Sequence, residues 1–126
     1  MKRFFKCDSC GNMLVMVRDG GGPIECCGKG IKEIKANTEE ASTEKHLPVI
    51  EVSGDKVITV SVGSVPHPME KEHHIEFVYL ETKRGGQLKY FNIGETPTMI
   101  FTLSKDEIVA AYEYCNLHGL WKTDYK

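Results

Sequence analysis

The sequence predicts an all-β chain in two parts, a small metal-held module followed by a compact antiparallel sandwich or barrel. Three observations lead there. Four of the five cysteines fall within the first 27 residues, as Cys7-Asp8-Ser9-Cys10-Gly11 and Cys26-Cys27-Gly28. From Val49 onward, short runs rich in β-branched and aromatic residues recur between turn signals. Between these regions, Ala36 to Thr43 is small, polar and aperiodic, as a linker should be.

The first part carries its two cysteine-glycine knuckles on either side of Met13-Leu14-Val15-Met16-Val17 and the glycine turn Gly20-Gly21-Gly22-Pro23. So few apolar residues cannot bury enough surface to fold well alone, and metal binding supplies the missing stability. The expected domains are therefore residues 1–36 and 37–126. In the second part the strand candidates are Val49–Val52, Val57–Val62, Ile75–Leu80, Leu88–Ile93, Met99–Leu103 and Val109–Tyr114. Ser53-Gly54-Asp55, Arg84-Gly85-Gly86 and Gly94-Glu95-Thr96-Pro97 punctuate them at the spacing of an antiparallel sandwich or barrel. Ser104-Lys105-Asp106-Glu107 could instead cap a helix over 108–114, but the β-rich composition favours a strand there.

Composition narrows the function classes. The chain is 40% hydrophobic with a mean hydropathy of −0.31, and no apolar run approaches the roughly 20 residues of a membrane helix. The start, Met1-Lys2-Arg3-Phe4-Phe5-Lys6, has no apolar core or small-residue cleavage site of the kind an export signal needs. An odd number of cysteines without such a signal reads as metal ligands in a reducing cytoplasm rather than as a disulfide framework. Residues 1–36 carry seven Lys/Arg against four Asp/Glu, whereas 37–126 carry nine against fourteen. Such asymmetry could orient an acidic redox partner, although scattered exposed charge is the plainer explanation. No basic run interleaved with aromatics points to nucleic acid.

The cysteines and histidines separate into two ligand sets. The first is all thiol: Cys7, Cys10, Cys26 and Cys27. Cys-x-x-Cys lets one turn offer two sulfurs to one ion. The adjacent pair Cys26-Cys27 must bend the backbone to do the same. Zinc and iron both accept four thiolates, and a structural zinc knuckle or a vicinal disulfide are further possibilities. The second set gathers His46, His67, His73, Cys115 and His118. Pro48 follows two residues after His46, and Pro66 and Pro68 flank His67, so backbone freedom around two of the imidazoles is small. Taken singly, each histidine is more ordinarily a surface or hydrogen-bonded residue; together they make a donor set. His73 and His74 are neighbours, and in a strand they point to opposite faces, so one of them is expected to bind. Imidazoles with one thiolate suit iron with a sixth position open to a small ligand. Lys45 beside His46 could draw an anion there, and Glu44 could close the position when substrate is absent.

These residues resemble the desulfoferrodoxins, the two-iron class of superoxide reductase, over nearly the whole chain. The resemblance lies in Cys7-x-x-Cys10 with Cys26-Cys27, Glu44-Lys45-His46, His67-Pro68-Met69, His73, and Cys115-Asn116-Leu117-His118-Gly119-Leu120-Trp121. It implies a desulforedoxin-like module on an immunoglobulin-like β-sandwich, assembled as a homodimer. It makes Cys7, Cys10, Cys26 and Cys27 ligands of a rubredoxin-like iron. His46, His67, His73 and His118 become equatorial ligands of a catalytic iron, with Cys115 axial. The implied reaction is one-electron reduction of superoxide to hydrogen peroxide, with a reduced rubredoxin as donor. Lys45 would guide superoxide, and Glu44 would bind the resting ferric iron and assist product departure. His74 stands where many members carry an aromatic residue.

Overall fold

The computed structural model describes residues 2–39, 46–54, 56–63 and 67–126, and the chain divides into two compact units, Met1–Lys35 and Ala36–Lys126. All elements among the described residues are strands.

The first unit holds five short strands: β1 (Phe4–Lys6), β2 (Met13–Val15), β3 (Glu25–Cys26), β4 (Lys29–Gly30) and β5 (Lys32–Ile34). β1 is central, pairing antiparallel with β2 on one side and β5 on the other. β3 and β4 form a separate two-stranded ribbon. Within this unit only Phe4, Phe5 and Cys7 are buried among the described residues. Two phenylalanines are far too little apolar surface to hold some 35 residues together, which places the stabilising burden on the cysteines.

The second unit contains β6 (Pro48–Ser53), β7 (Val57–Val62), β8 (Ile75–Thr82), β9 (Gly85–Tyr90), β10 (Thr98–Thr102), β11 (Ile108–Cys115) and β12 (Gly119–Asp124). They form two antiparallel sheets in the orders β10-β7-β6 and β12-β11-β8-β9. Alternation along β7 explains the first sheet's inner face: Ile58, Val60 and Val62 are buried while Val57, Thr59 and Ser61 are less so. One apolar core takes Ile58, Val60, Val62 and Phe101 from this sheet and Val78, Leu80, Ala111 and Cys115 from the other. Seven of the eight residues of β8 are buried, as expected of a central strand covered on both faces.

Several expectations are corrected. Gly119–Asp124, not foreseen as a strand, forms β12; its two buried residues, Leu120 and Trp121, are adjacent, so the period-two signal is missing. The turn placed at Arg84-Gly85-Gly86 lies one residue earlier, because Gly85 and Gly86 already pair with Thr82 and Glu81. β9 consequently ends at Tyr90, short of Ile93. The expected strand at Val109–Tyr114 does form, as β11, one residue longer at each end. The expected linker is partly tied down: Asn37 bridges to Trp121, donating its backbone N–H to Leu120 O at 2.9 Å and accepting from Lys122 N at 2.9 Å. Residues 40–43 of that stretch lie outside the described residues.

Candidate metal centres

The four N-terminal thiols meet. Their sulfurs all lie within 4.8 Å of one another, and Cys10 Sγ stands 3.5 Å from Cys26 Sγ. The first knuckle closes through Cys7 N–H to Asn12 O (2.9 Å) and Gly11 N–H to Cys7 O (2.8 Å). The second solves the problem of adjacent ligands. Cys27 and Gly28 are the two loop residues between β3 and β4, with φ of 55° and 74°. Positive φ at both positions is the pattern of a type I′ hairpin turn, in which glycine is favoured second and a β-carbon at the first position is strained. That reversal brings both sulfurs to one side. No disulfide forms, and the Cys26 and Cys27 sulfurs stay 4.0 Å apart.

The thiols do not share charge evenly. Cys7 is held down to about 6, chiefly by the backbone N–H of Cys10 and further by that of Ser9, against the opposing effect of burial. Cys27 is pushed up to about 12, first by its contacts with Cys10 and Cys26. Four thiolates this close cannot all be ionised without a cation among them, so the set fits a divalent metal.

The second centre draws on four separate stretches of the β6–β12 unit. His46 (1% exposed) leads into β6, His67 (3%) and His73 lie on the segment between β7 and β8, and Cys115 (0%) ends β11, with His118 in the loop to β12. Ring contacts run in a closed cycle: His46–His67 at 4.7 Å, His67–His73 at 4.7 Å, His73–His118 at 5.1 Å and His118–His46 at 4.8 Å, all edge-on. The cycle is a square of imidazoles, with His46 opposite His73 and His67 opposite His118.

The donor atoms fit one ion. At the ~2.0–2.3 Å bonds that imidazole and thiolate make to a small divalent metal, adjacent donors stand about 3 Å apart and opposite ones about 4.2 Å. His46 Nε2 lies 3.1 Å from His118 Nδ1, Cys115 Sγ lies 3.7 Å from that same Nδ1, and all five donor atoms fall within 4.8 Å. His67 Nδ1–H donates to Pro68 O at 2.7 Å, which leaves Nε2 with the lone pair a metal takes. Cys115 belongs to the apolar core while His118 is exposed and His73 half-buried, so the set opens to solvent on its imidazole side.

Neighbouring residues brace this set. Trp121 stacks on His46 at 4.6 Å and 13°, and its Nε1–H donates to His118 O at 3.1 Å. Gly119, with φ of 85°, lets the three-residue loop after Cys115 re-enter β12 directly beside it. The choice between the neighbouring histidines falls to His73: His74 directs Nδ1–H to Glu70 O at 2.9 Å and stands outside the donor group. A β-bulge accounts for it. Tyr114 pairs with Phe77 and Cys115 with Ile75, leaving Glu76 as an extra residue on β8. Core positions on β8 therefore step from Leu80 and Val78 to Ile75, and the odd-numbered side of the chain, which includes His73, takes over. Sequence reasoning also passed over Glu113, wholly buried two residues before Cys115, and the part played by Asn116. Of the expected residues, Glu44 and Lys45 lie outside the described ones.

An all-β protein that gathers four thiolates in one unit, and four imidazoles with one thiolate in another, is by class a protein of two unlike metal centres. Comparison with known proteins narrows this. The desulfoferrodoxin family profile matches residues 38–124. The desulfoferrodoxin of Nitratidesulfovibrio vulgaris is 42% identical over 120 residues, covering 95% of this chain and 94% of its own, and a desulfoferrodoxin homologue of Archaeoglobus fulgidus is 42% identical over 119 residues, covering 94% of each. The crystal structure of the superoxide reductase from Treponema pallidum superposes with a TM-score of 0.84 at 35% identity, covering 98% of both chains. A superoxide reductase (neelaredoxin) from Archaeoglobus fulgidus, with a TM-score of 0.59 and 28% identity, covers 71% of this chain but 95% of its own. The chain belongs to the desulfoferrodoxin family.

Proposed function

We propose that the protein is a superoxide reductase, which adds one electron and two protons to superoxide and releases hydrogen peroxide. The observation that carries this is the convergence of His46, His67, His73, His118 and Cys115, with all donor atoms within 4.8 Å. Family membership and relatives titled superoxide reductase support it.

When bound, a ferrous ion would supply the single electron. The four imidazoles would hold the metal through their ring nitrogens, and the Nδ1–H bond of His67 to Pro68 O turns its Nε2 toward that role. Cys115 would add a negative, electron-rich donor from the dry side. His118 is exposed and Cys115 wholly buried, so a small anion would reach a metal held here from the imidazole side. Lys45, next to His46 in sequence, would raise the local concentration of superoxide, and Glu44 would help product leave. Cys7, Cys10, Cys26 and Cys27 would hold a rubredoxin-like iron as an electron store, in a desulforedoxin-like domain of residues 1–36. Residues 37–126 would be the immunoglobulin-like sandwich that carries the reaction. The neelaredoxin supports that division, since nearly all of its length aligns with only 71% of this chain. A rubredoxin-type donor, a homodimer and a cytoplasmic setting complete the proposal, with no role for nucleic acid or membrane; among the described residues no helix is long and apolar enough to cross one.

The test is anaerobic iron reconstitution, metal analysis with visible spectra, and product counting after superoxide exposure. The expected result is iron in both sites, a thiolate band that appears as the second centre oxidises, and one hydrogen peroxide per superoxide without dioxygen. Dioxygen release would make the protein a dismutase. Zinc in the thiol site with a histidine set that refuses iron would make it a binding module, and thiol-site iron cycling alone would make it an electron carrier.

Lys45→Ala is expected to slow superoxide capture roughly tenfold at low salt, with the difference shrinking as ionic strength rises and both irons retained. Stopped-flow rates across a salt series measure it, and a rate identical to the parent throughout removes the steering role.

A further inference from the structure

The side chain of Asn116 does something that neither ligand binding nor strand pairing requires. Its Nδ2–H donates to Glu72 O at 3.0 Å, and its Oδ1 accepts from the backbone N–H of His74 at 2.9 Å. Those two groups flank His73 in the chain. The Asn116 backbone N–H adds a third bond, to His74 O at 3.2 Å. One residue therefore grips the main chain on both sides of His73, and it is itself covalently next to Cys115.

The grip acts where the fold is otherwise weak. His73 precedes β8, so no ladder pairing holds it, and the bulge at Glu76 interrupts the register just beyond. The local turn is closed by Glu70 N–H to His73 O (2.9 Å), by His73 N–H to Glu70 O (3.2 Å) and by His74 Nδ1–H to the same Glu70 O (2.9 Å). The asparagine amide carries its donor and its acceptor on separate atoms, so it can reach Glu72 O and His74 N–H together. Aspartate has no donor for Glu72 O, and serine is shorter.

We propose that Asn116 is a positioning residue of the second metal centre: it fixes the His73 imidazole relative to the Cys115 thiolate by clamping the backbone at Glu72 and His74. This rests on the five-donor metal site proposed above. Residues that orient metal ligands cost about 10–100-fold in metal affinity when removed, and the effect here has a definite form. With the clamp gone, His73 becomes the loosest of the five donors, and the ligand field loses its fourfold regularity while the thiolate stays bound.

The experiment compares iron-reconstituted Asn116→Ala, Asn116→Asp, His74→Ala and His73→Ala with the parent. It reads release of second-centre iron to a chelator, the energy of the thiolate band, and the rhombicity of the ferric electron paramagnetic resonance. Asn116→Ala is expected to release this iron at least about tenfold faster, with a shifted band and a changed rhombicity. Asn116→Asp keeps the acceptor for His74 N–H and is expected to fall between, which preserves the test if the alanine variant folds poorly. His74→Ala gives up the Nδ1–H bond to Glu70 O but keeps all three bonds of the clamp, and is expected to match the parent in band energy and rhombicity. Parent-like release and spectra in both Asn116 variants overturn the clamp. Retention of second-centre iron by His73→Ala sinks instead the ligand assignment on which the clamp depends.

Discussion

Replacing Cys115 by serine is expected to abolish the thiolate absorption of the second centre and to cut superoxide reduction by more than about 100-fold, with metal kept at the four-cysteine site. The size follows from comparison: losing an outer residue that merely orients a ligand already costs about 10–100-fold. Cys115 supplies the only sulfur in its set, and it does so from the apolar core, where it is wholly buried. A serine hydroxyl there stays neutral, is a poorer donor to iron, and needs a hydrogen-bond partner in a dry site. Visible spectra and peroxide production measured on one iron-loaded sample decide the matter. A surviving band, or turnover within about threefold of the parent, would mean that Cys115 is not a ligand of the second centre.

Removing metal from the thiol site is expected to unfold residues 2–35 while the second unit stays folded. Structural metal bound by cysteines can contribute about 10–16 kcal/mol in small modules, more than such a module's own stability. Here the alternative sources are thin: Phe4 and Phe5, and the salt bridges of Arg3 to Asp19 (2.7 Å) and Glu33 (3.0 Å) at the surface. Cys10→Ser makes the same test without a burial penalty, because Cys10 is exposed. Amide hydrogen exchange gives the answer by region: protection lost in β1 and β5 but kept in β8 and β11 is the expected pattern. Equal protection of β1 and β5 with and without metal would overturn it.

What could be read from the sequence was whatever chemistry or local periodicity dictates. Thiols and imidazoles with these spacings announce themselves, and β7 shows its alternation plainly, so its bounds, Val57–Val62, coincide with the observed strand. β12 was hidden because Leu120 and Trp121 are buried side by side, one packed on each face. The strained turn at Cys27-Gly28 was legible only as a requirement, since no propensity favours cysteine there. The grip of Asn116 depends on groups more than 40 residues away in sequence, Glu72 and His74, and no local signal encodes such a pairing.

The bulge at Glu76 changes how relatives must be compared. β8 carries one residue more than β11 between the Phe77–Tyr114 and Ile75–Cys115 pairs. An alignment that absorbs a one-residue gap on the wrong side of Glu76 will set His74 against another chain's ligand and look nearly as good. Homology around this strand has therefore to be counted from the ladder outward, starting at Cys115 and its partner Ile75, before a histidine is carried from one member to the next.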